Sequence, residues 1–245
     1  MTPLVLYESS DRVAVIRINR PAKRNAMNTQ MVSELQGAWA RFEAGEDRVA
    51  VITGSDVTFS GGADLKDMPP EFWKAIPGLG AAVTKPVIAA VAGPVVGGAC
   101  VIVQMCDLCV AADNASFSYP EAAVGFSGGL ISSLAARIPH KIAMELVLLC
   151  RPLSAQRAYE VGLVNAVVPV GRQLDTAREW AQRIADYAPL VVDTLKAFVA
   201  EVLPMGPSEA AAIARRRLET VNFGQDAAEG KAAFEEKRKP RFKGR

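Results

Sequence analysis

The sequence predicts an α/β protein whose front half mixes strands with helices and whose rear third is helical. Two observations indicate this. Short apolar runs typical of buried strands alternate with helical segments through the front half, an order that favours a core of parallel crossovers. Toward the C-terminus, apolar residues recur at helical spacing in segment after segment. At 245 residues, the chain fits one large domain or a core with a small appendage.

The front elements follow in order from the N-terminus. The runs LVLYES and RVAVIRIN predict a β-hairpin that turns at Ser9–Asp11. NTQMVSELQGAWARFEAG has helical periodicity, with Asn28 or Thr29 as N-cap. Buried strands are predicted at RVAVITG and KPVIAAVAG. Between them, VTFSGGADLKDM indicates a loop that opens a short helix. GGACVIVQMC is predicted helical and DLCVAAD extended.

The rear elements are mostly helices, with one short strand at LVNAVVP. The helical segments are GGLISSLAARI, KIAMELVLL, SAQRAYEVG, QLDTAREWAQRIADY, PLVVDTLKAFVAEVL, PSEAAAIARRRLETV and DAAEGKAAFEEKRK. Helices of this kind, rich in alanine and exposed apolar faces, commonly mediate packing between subunits. The sequence therefore favours an assembly of several copies.

Composition excludes several classes of function. The formal net charge of +2 does not favour nucleic acid as a partner, and no apolar run is long enough to span a membrane. The four cysteines lack the spacing of a zinc site and His140 is the sole histidine, so no metal is expected. The N-terminus lacks a signal-peptide pattern, and reduced core thiols fit the cytoplasm, which is the expected location.

Two glycine-rich junctions, FSGGADLK and GPVVGGAC, each stand where a strand passes into a predicted helix. The first N–H groups of a helix have no acceptor inside it, so two such junctions could hold one partially negative oxygen. Neither junction has the pattern of a dinucleotide or P-loop site. Taken singly, each is more often a plain tight turn.

The chain resembles the enoyl-CoA hydratase/isomerase (crotonase) superfamily from end to end. The matching stretches are INRPAKRNAMN, VITGSDVTFSGGADLKDM, KPVIAAVAGPVVGGACVIVQMCDLCVAADNASFSYPEAAVGF, LSAQRAYEVGLVNAVVP and EGKAAFEEKRKPRF. The resemblance implies a spiral of repeated ββα turns over residues 1–188 and a C-terminal helical region over 189–245 that builds trimers or paired trimers. It also implies an acyl-CoA thioester substrate, with no separate cofactor.

The resemblance also assigns roles to residues. By motif, the N–H groups of Ala63 and Gly98 would form an oxyanion hole for the thioester oxygen. Glu121, in YPEAAVG, matches one of the family's two catalytic glutamates. Outside that motif, a glutamate after a proline in a polar loop is more often a surface residue.

The second family glutamate is absent. The family's hydratases carry it three residues after the oxyanion glycine, where this chain has Val101. A single glutamate favours isomerisation of 3-enoyl-CoA to 2-enoyl-CoA. Two alternatives stay open: a hydratase that recruits another acid, such as Asp64, Asp67 or Glu71, and a non-catalytic acyl-CoA-binding subunit. Asp64 is equally a structural residue that caps the helix after its loop.

The remaining expectations concern the walls of the site. Between GADLKDM and KPVIAAV the chain is shorter than the family pattern, which would reshape the acyl pocket. Its candidate lining residues are Phe59, Phe72, Trp73, Val101, Phe126 and Gly129; for the aromatic ones, an ordinary core position is an equal alternative. The expected CoA contacts are Arg24, Ala63, Leu65 and Lys66, with Phe242 and Lys243 reaching a neighbouring subunit unless the basic tail is simply solvated.

Overall fold

A computed structural model describes residues 3–126 and 128–245. The strands are, in chain order, β1 (Val5–Ser10), β2 (Val13–Ile18), β3 (Val49–Thr53), β4 (Val87–Val91), β5 (Pro94–Val96), β6 (Leu108–Ala112), β7 (Ser116–Ser118), β8 (Leu153–Ser154) and β9 (Ala166–Val168). The α-helices are α1 (Thr29–Ala44), α2 (Gly98–Gln104), α3 (Glu121–Val124), α4 (His140–Leu148), α5 (Ala155–Glu160), α6 (Gln173–Ala185), α7 (Pro189–Val202), α8 (Pro207–Asn222) and α9 (Gln225–Glu235).

The main sheet has the order β1-β2-β3-β4-β6-β9. β1 and β2 form the predicted antiparallel hairpin, and every later pairing in this sheet is parallel. The α/β fold of parallel crossovers is thereby confirmed. β3 and β4 are buried along their whole length because both faces of the sheet are covered. The larger apolar core includes the inner face of α1, and α6 packs its small residues Ala177, Ala181 and Ala185 into the opposite core.

The predicted start of α1 is confirmed, with Asn28 rather than Thr29 as its N-cap. The Asn28 side chain accepts a hydrogen bond from the N–H of Met31 at 3.1 Å. This bond satisfies one of the donors that a helix N-terminus leaves without a partner. The helix then buries Leu35, Trp39 and Phe42, three residues of its predicted apolar stripe.

A second, small sheet was not predicted from the sequence. It has the order β5-β7-β8, with β5 and β7 parallel and β8 antiparallel. An isolated parallel bridge between Ser60 and Val95 adds the FSGG loop to its open edge. These strands have only two or three residues, too few for an alternating pattern to show in the sequence.

The short helix predicted after GGADLK is wrong. Residues 64–67 form a single turn, in which the N–H of Asp67 donates to the carbonyl of Asp64 at 3.1 Å. Pro69 and Pro70 follow after Met68, and a residue before proline is disfavoured in the α conformation. Helical structure begins only at the 3₁₀ turn Phe72–Ala75.

The rear of the chain is helical as predicted, from the 3₁₀ helix Ser132–Ala136 through α9. Its outer faces are apolar at many positions: Leu190, Phe198 and Val202 on α7 are 80%, 61% and 79% exposed. Within residues 3–126 and 128–245, no helix is both long and apolar enough to cross a bilayer.

Candidate active site

Three parallel segments of the small sheet end at the same edge. The bridge from Ser60 to Val95 holds the FSGG loop beside β5, with hydrogen bonds of 3.1 and 3.0 Å. On the other side of β5, Val96 pairs with Ser118 at the end of β7. Because parallel segments present their carboxyl ends together, the residues that follow them converge on one place.

Those following residues are the predicted oxygen-binding positions. Ala63 comes three residues after Ser60 and Gly98 three residues after Val95, so the bridge places the two junctions in register. The neighbours of Ala63 are fixed by Met27, whose N–H donates to Gly62 and whose carbonyl accepts from Asp64, both at 2.8 Å. Within the described ranges, the N–H groups of Ala63 and Gly98 have no recorded protein acceptor.

Glycine is required at 97 and 98 for two different reasons. Gly97 has φ +56°, a conformation that other residues adopt only with strain. At Gly98, a Cβ would lie 2.3 Å from ring carbon Cε1 of Phe72. The Phe72 ring therefore packs directly on Gly98, and any side chain at this position would require the ring to move.

Glu121 follows β7 and begins α3. Its Oε2 accepts a hydrogen bond from the phenol of Tyr119 at 2.5 Å and one from the N–H of Gly128 at 3.3 Å. Its Oε1 would lie 3.9 Å from a Cβ at Gly97. The structure thus brings the carboxylate beside the turn that carries Gly98, on the same edge of the small sheet.

A cavity of about 340 Å³ connects these groups. It is mostly apolar, and its lining residues come from the FSGG loop, the shortened segment after it, α2, the Tyr119–Leu130 region and α8. They are Ala63, Met68, Pro69, Pro70, Phe72, Trp73, Gly98, Val101, Tyr119, Glu121, Phe126, Gly128, Leu130, Ser208, Ala211, Ala212 and Arg215. Ala63, Gly98 and Glu121, singled out from the sequence, therefore share one cavity.

The expected acyl-pocket residues divide between the cavity and its surroundings. Phe72, Trp73, Val101 and Phe126 line it. Phe59 does not line the cavity. Its side chain is fully buried in the core under the main sheet, so it is an ordinary core residue and its predicted place in the acyl pocket is wrong.

Gly129 is outside the lining as well, although its neighbour Gly128 belongs to it. A Cβ at Gly129 would lie 2.5 Å from Oγ of Ser208, so the residue packs behind the cavity wall that α8 supplies.

The expected CoA contacts near Ala63 are exposed residues outside the cavity lining. Leu65 is 71% exposed, and Arg24 and Lys66 are exposed too. The carbonyl of Arg24 accepts from Gly61 at 2.9 Å, which fixes this surface to the FSGG loop.

The C-terminal tail folds back onto α9. The side chain of Asp226 accepts from the N–H of Lys243 at 2.7 Å, and the ring of Phe242 lies 3.6 Å from the Cβ position of Gly230. Within this chain the expected CoA contacts Phe242 and Lys243 are thus held by α9, away from the residues that line the cavity.

The three other acids considered from the sequence lie outside the cavity lining, and each has a structural partner. Asp64 pairs with Arg20 at 2.6 Å, and this hydrogen bond, with one from the N–H of Lys66, lowers the pKa of Asp64. Asp67 accepts from the side chain of Asn28, and Glu71 pairs with Lys74 and Arg215.

The thiol of Cys100 lies close to the carboxylate of Glu121. Its Sγ donates to the carbonyl of Val95 at 3.0 Å. Burial raises the pKa of this thiol to about 12, and the charge of Glu121 adds to the rise. Cys100 therefore stays a neutral thiol beside the site.

Ala63, Gly98 and Glu121 at one mostly apolar cavity of an α/β fold fit the class of protein that the sequence resembles. The sequence model of the enoyl-CoA hydratase/isomerase family matches residues 8–245. The chain belongs to this family, and its crotonase-type fold is shared with the solved structures that it matches.

Several relatives are similar over nearly the whole chain. An enoyl-CoA hydratase of Mycobacterium tuberculosis is 36% identical over 259 residues, which cover 99% of this chain and 97% of the relative. The 2,3-dehydroadipyl-CoA hydratase of Escherichia coli is 32% identical, with coverages of 98% and 99%. The crystal structure of carnitinyl-CoA hydratase from Mycobacterium avium is 34% identical and superposes with a TM-score of 0.76 over 100% of both chains.

Tyr119 and Arg215 are two of the cavity residues that were not anticipated from the sequence. Tyr119 precedes the YPEAAVG glutamate by two positions, and its phenol reaches back to that carboxylate. Arg215 lies about a hundred residues away and reaches the cavity only through the packing of α8. Tyr119 belongs to the YPEAAVG motif, which was a usable signal for it. Arg215 is one of three adjacent arginines, and nothing in the sequence distinguishes it from the other two.

Proposed function

We propose that this enzyme acts on an acyl-CoA thioester and isomerises a 3-enoyl-CoA to the 2-enoyl-CoA. The observation that carries the proposal is the single carboxylate of the cavity. Among the described residues that line it, Glu121 is the only acid, and Val101 stands in the wall where the hydratase pattern has a second glutamate.

The isomerisation requires one base that serves at two carbons. The thioester oxygen accepts from the N–H groups of Ala63 and Gly98, while Glu121 removes a proton from C2. The electron pair of the broken C–H bond forms a dienolate whose negative oxygen these donors stabilise. Glu121 then returns the proton at C4, so the double bond moves from C3–C4 to C2–C3 and the carboxylate is regenerated.

The apolar wall supports this reaction over the addition of water. Val101 is 1% exposed, and Phe72, Trp73 and Leu130 complete a lining that has few groups able to hold a nucleophilic water. A water-poor cavity strengthens the hydrogen bonds to the developing oxyanion and suppresses attack at C3.

Hydration of a 2-enoyl-CoA is the second candidate. It is favoured by the names of the relatives, which are hydratases. Water addition needs one group to activate water and another to protonate C2, and losing one positioned acid or base typically costs about 10²–10⁴-fold. A hydratase of this form would have to rely on Glu121 with Tyr119 as its hydroxyl partner.

The test offers purified protein a 3-enoyl-CoA and the matching 2-enoyl-CoA in parallel. Absorbance of the conjugated thioester follows isomerisation, and chromatography follows the 3-hydroxyacyl product. The proposal expects fast conversion of the 3-enoyl ester and slow hydration. Hydration faster than isomerisation would establish the second candidate, and binding without turnover of either ester would indicate a non-catalytic acyl-CoA-binding subunit.

Assembly and CoA contacts complete the proposal. We expect a homotrimer or a dimer of trimers, as the family resemblance implies. α7 exposes Leu190, Phe198 and Val202, and exposed apolar patches mark interfaces. We expect this assembly in the cytoplasm. The CoA portion would lie along the surface of Arg24, Leu65 and Lys66. In the trimer, Phe242 and Lys243 would meet the CoA of a neighbouring subunit.

A further inference from the structure

One face of α8 forms a wall of the cavity. Ser208, Ala211, Ala212 and Arg215 line it, at the spacing i, i+3, i+4, i+7 that places residues on a single helix face. The two alanines leave space along the middle of this wall. With a rise of about 1.5 Å per residue, the wall is about 10 Å long from Ser208 to Arg215.

The two ends of this wall differ in their surroundings. Ser208 packs on Gly129, beside the Gly128 N–H that contacts Glu121. Arg215 lies at the other end, with its guanidinium carbon 5.9 Å from the centre of the Trp73 ring. An acyl chain that enters at Glu121 and follows the alanines therefore ends near Arg215.

Arg215 and Glu121 are the only charged residues in the lining, within the described part of the chain. Two ion pairs hold the guanidinium at this end of the wall while its side chain stays 58% exposed: Nη2 lies 2.6 Å from Oε1 of Glu71, and Nε lies 3.5 Å from Oε1 of Glu219. Lys74 pairs with both of these carboxylates, so the two positive charges of Arg215 and Lys74 match the two negative charges of Glu71 and Glu219.

We infer that Arg215 selects acyl groups that end in a carboxylate, an inference that rests on the proposed function of the same cavity. The guanidinium has five N–H donors, and the two ion pairs engage only Nη2 and Nε. A carboxylate at the end of the acyl chain accepts from the donors that remain. Glu71 and Glu219 place the side chain beside the cavity, where a terminal carboxylate forms a charge-assisted contact with it.

Binding to the wild-type protein tests this without requiring turnover. Titration calorimetry compares adipyl-CoA with hexanoyl-CoA, which have the same carbon count and differ in a terminal carboxylate. We expect adipyl-CoA to bind about tenfold more tightly, equivalent to about 1.4 kcal/mol. Equal affinity, or tighter binding of hexanoyl-CoA, overturns the inference.

Substitution tests the residue itself. Arg215→Met is expected to abolish the difference between the two esters, and Arg217→Met, at an exposed arginine on the same helix, to preserve it. An equal loss of affinity for both esters in Arg215→Met would place the contact on the common CoA part or on the fold, and would contradict selection of the acyl end.

Turnover separates this inference from the proposed function. The matched substrates are 3-octenoyl-CoA and 3-octenedioyl-CoA. Isomerisation of both at equal kcat/KM overturns the role of Arg215 and leaves the proposed function intact. Preferential binding of adipyl-CoA with no isomerisation of either substrate overturns the proposed function and supports the recognition by Arg215.

Discussion

The phenol oxygen of Tyr119 lies 2.5 Å from Oε2 of Glu121, and the tyrosine side chain is buried. This contact orients the carboxylate. Since Oε2 is held by Tyr119 and Gly128, Oε1 is the atom that faces the turn at Gly97. In the proposed reaction, Oε1 is therefore the atom that would exchange the proton with substrate.

Tyr119→Phe tests whether this orientation matters for turnover. Removing a hydrogen bond to a charged group typically costs about 1.5–3 kcal/mol, so kcat is expected to fall about tenfold or more. The KM should change little, because the phenol does not hold the CoA part. Steady-state kinetics on a 3-enoyl-CoA measures both.

Tyr159→Phe is the matched control, because Tyr159 is 50% exposed on α5 and lies outside the cavity lining. It should keep wild-type kcat. Full activity in Tyr119→Phe would show that the carboxylate is oriented without the phenol.

Gly98→Ala tests the close packing of Phe72. The added Cβ would lie 2.3 Å from the ring, so the ring must move within the cavity. We expect kcat/KM to fall at least about tenfold, since a misplaced wall displaces the substrate from the donors. Combining it with Phe72→Ala should recover part of the loss, because the smaller side chain removes the clash.

Gly37→Ala serves as the control for a glycine substitution as such. A Cβ at Gly37, on the exposed side of α1, has nothing within 4 Å, so activity should not change. If Gly98→Ala alone were as active as wild type, the packing of Phe72 on Gly98 would not constrain the site.

Val101→Glu tests whether the valine at this position makes hydration slow. The new carboxylate would extend from α2 into the cavity, at the position of the family's second glutamate. The ratio of hydration to isomerisation should rise about tenfold or more, since the second acid–base group is restored.

Val101→Gln has nearly the same size without the charge and should not raise that ratio. An unchanged ratio in Val101→Glu, in a variant that retains the wild-type circular dichroism spectrum, would count against Val101 as the cause. The product distribution from a 2-enoyl-CoA is the measurement.

Asp64 gives the expected pH dependence of stability. Arg20 lowers its pKa below the ordinary value of 3.8. A carboxyl group whose pKa is lower in the folded state stabilises it above the unfolded pKa, and this contribution disappears as the pH falls through the folded pKa.

The difference in Tm between wild type and Asp64→Asn should therefore be constant above about pH 5 and shrink in more acidic buffers. Thermal unfolding across this range provides the measurement. A difference that grew as the pH fell would contradict the pairing with Arg20.

The sequence was sufficient for the main sheet and for the long helices. Their apolar runs are long enough to show a period, and Asn28 and the Ser9–Asp11 turn mark their ends. The small sheet was missed because β5, β7 and β8 have only two or three residues each. That sheet places Ala63, Gly98 and Glu121 together. The two glycine-rich junctions could be linked from helix-terminus chemistry alone, but Glu121 could be added to them only through the family resemblance.

The residues that form the walls of the cavity were predicted less well than the positions Ala63, Gly98 and Glu121. Phe59 and Phe72 are both aromatic residues near the site, and only the packing places one in the core and the other on Gly98. Arg215 enters through the docking of α8, a contact between segments far apart in the chain. No local pattern encodes such a contact.

The central claim is that Glu121 alone transfers the proton, and Glu121→Gln tests it most directly. The amide keeps the size of the side chain but cannot act as a base. The kcat for isomerisation of a 3-enoyl-CoA is expected to fall by about 10²–10⁴-fold, with substrate affinity and Tm near wild type. A Glu121→Gln variant that retained isomerase activity within a few-fold of wild type would contradict the account.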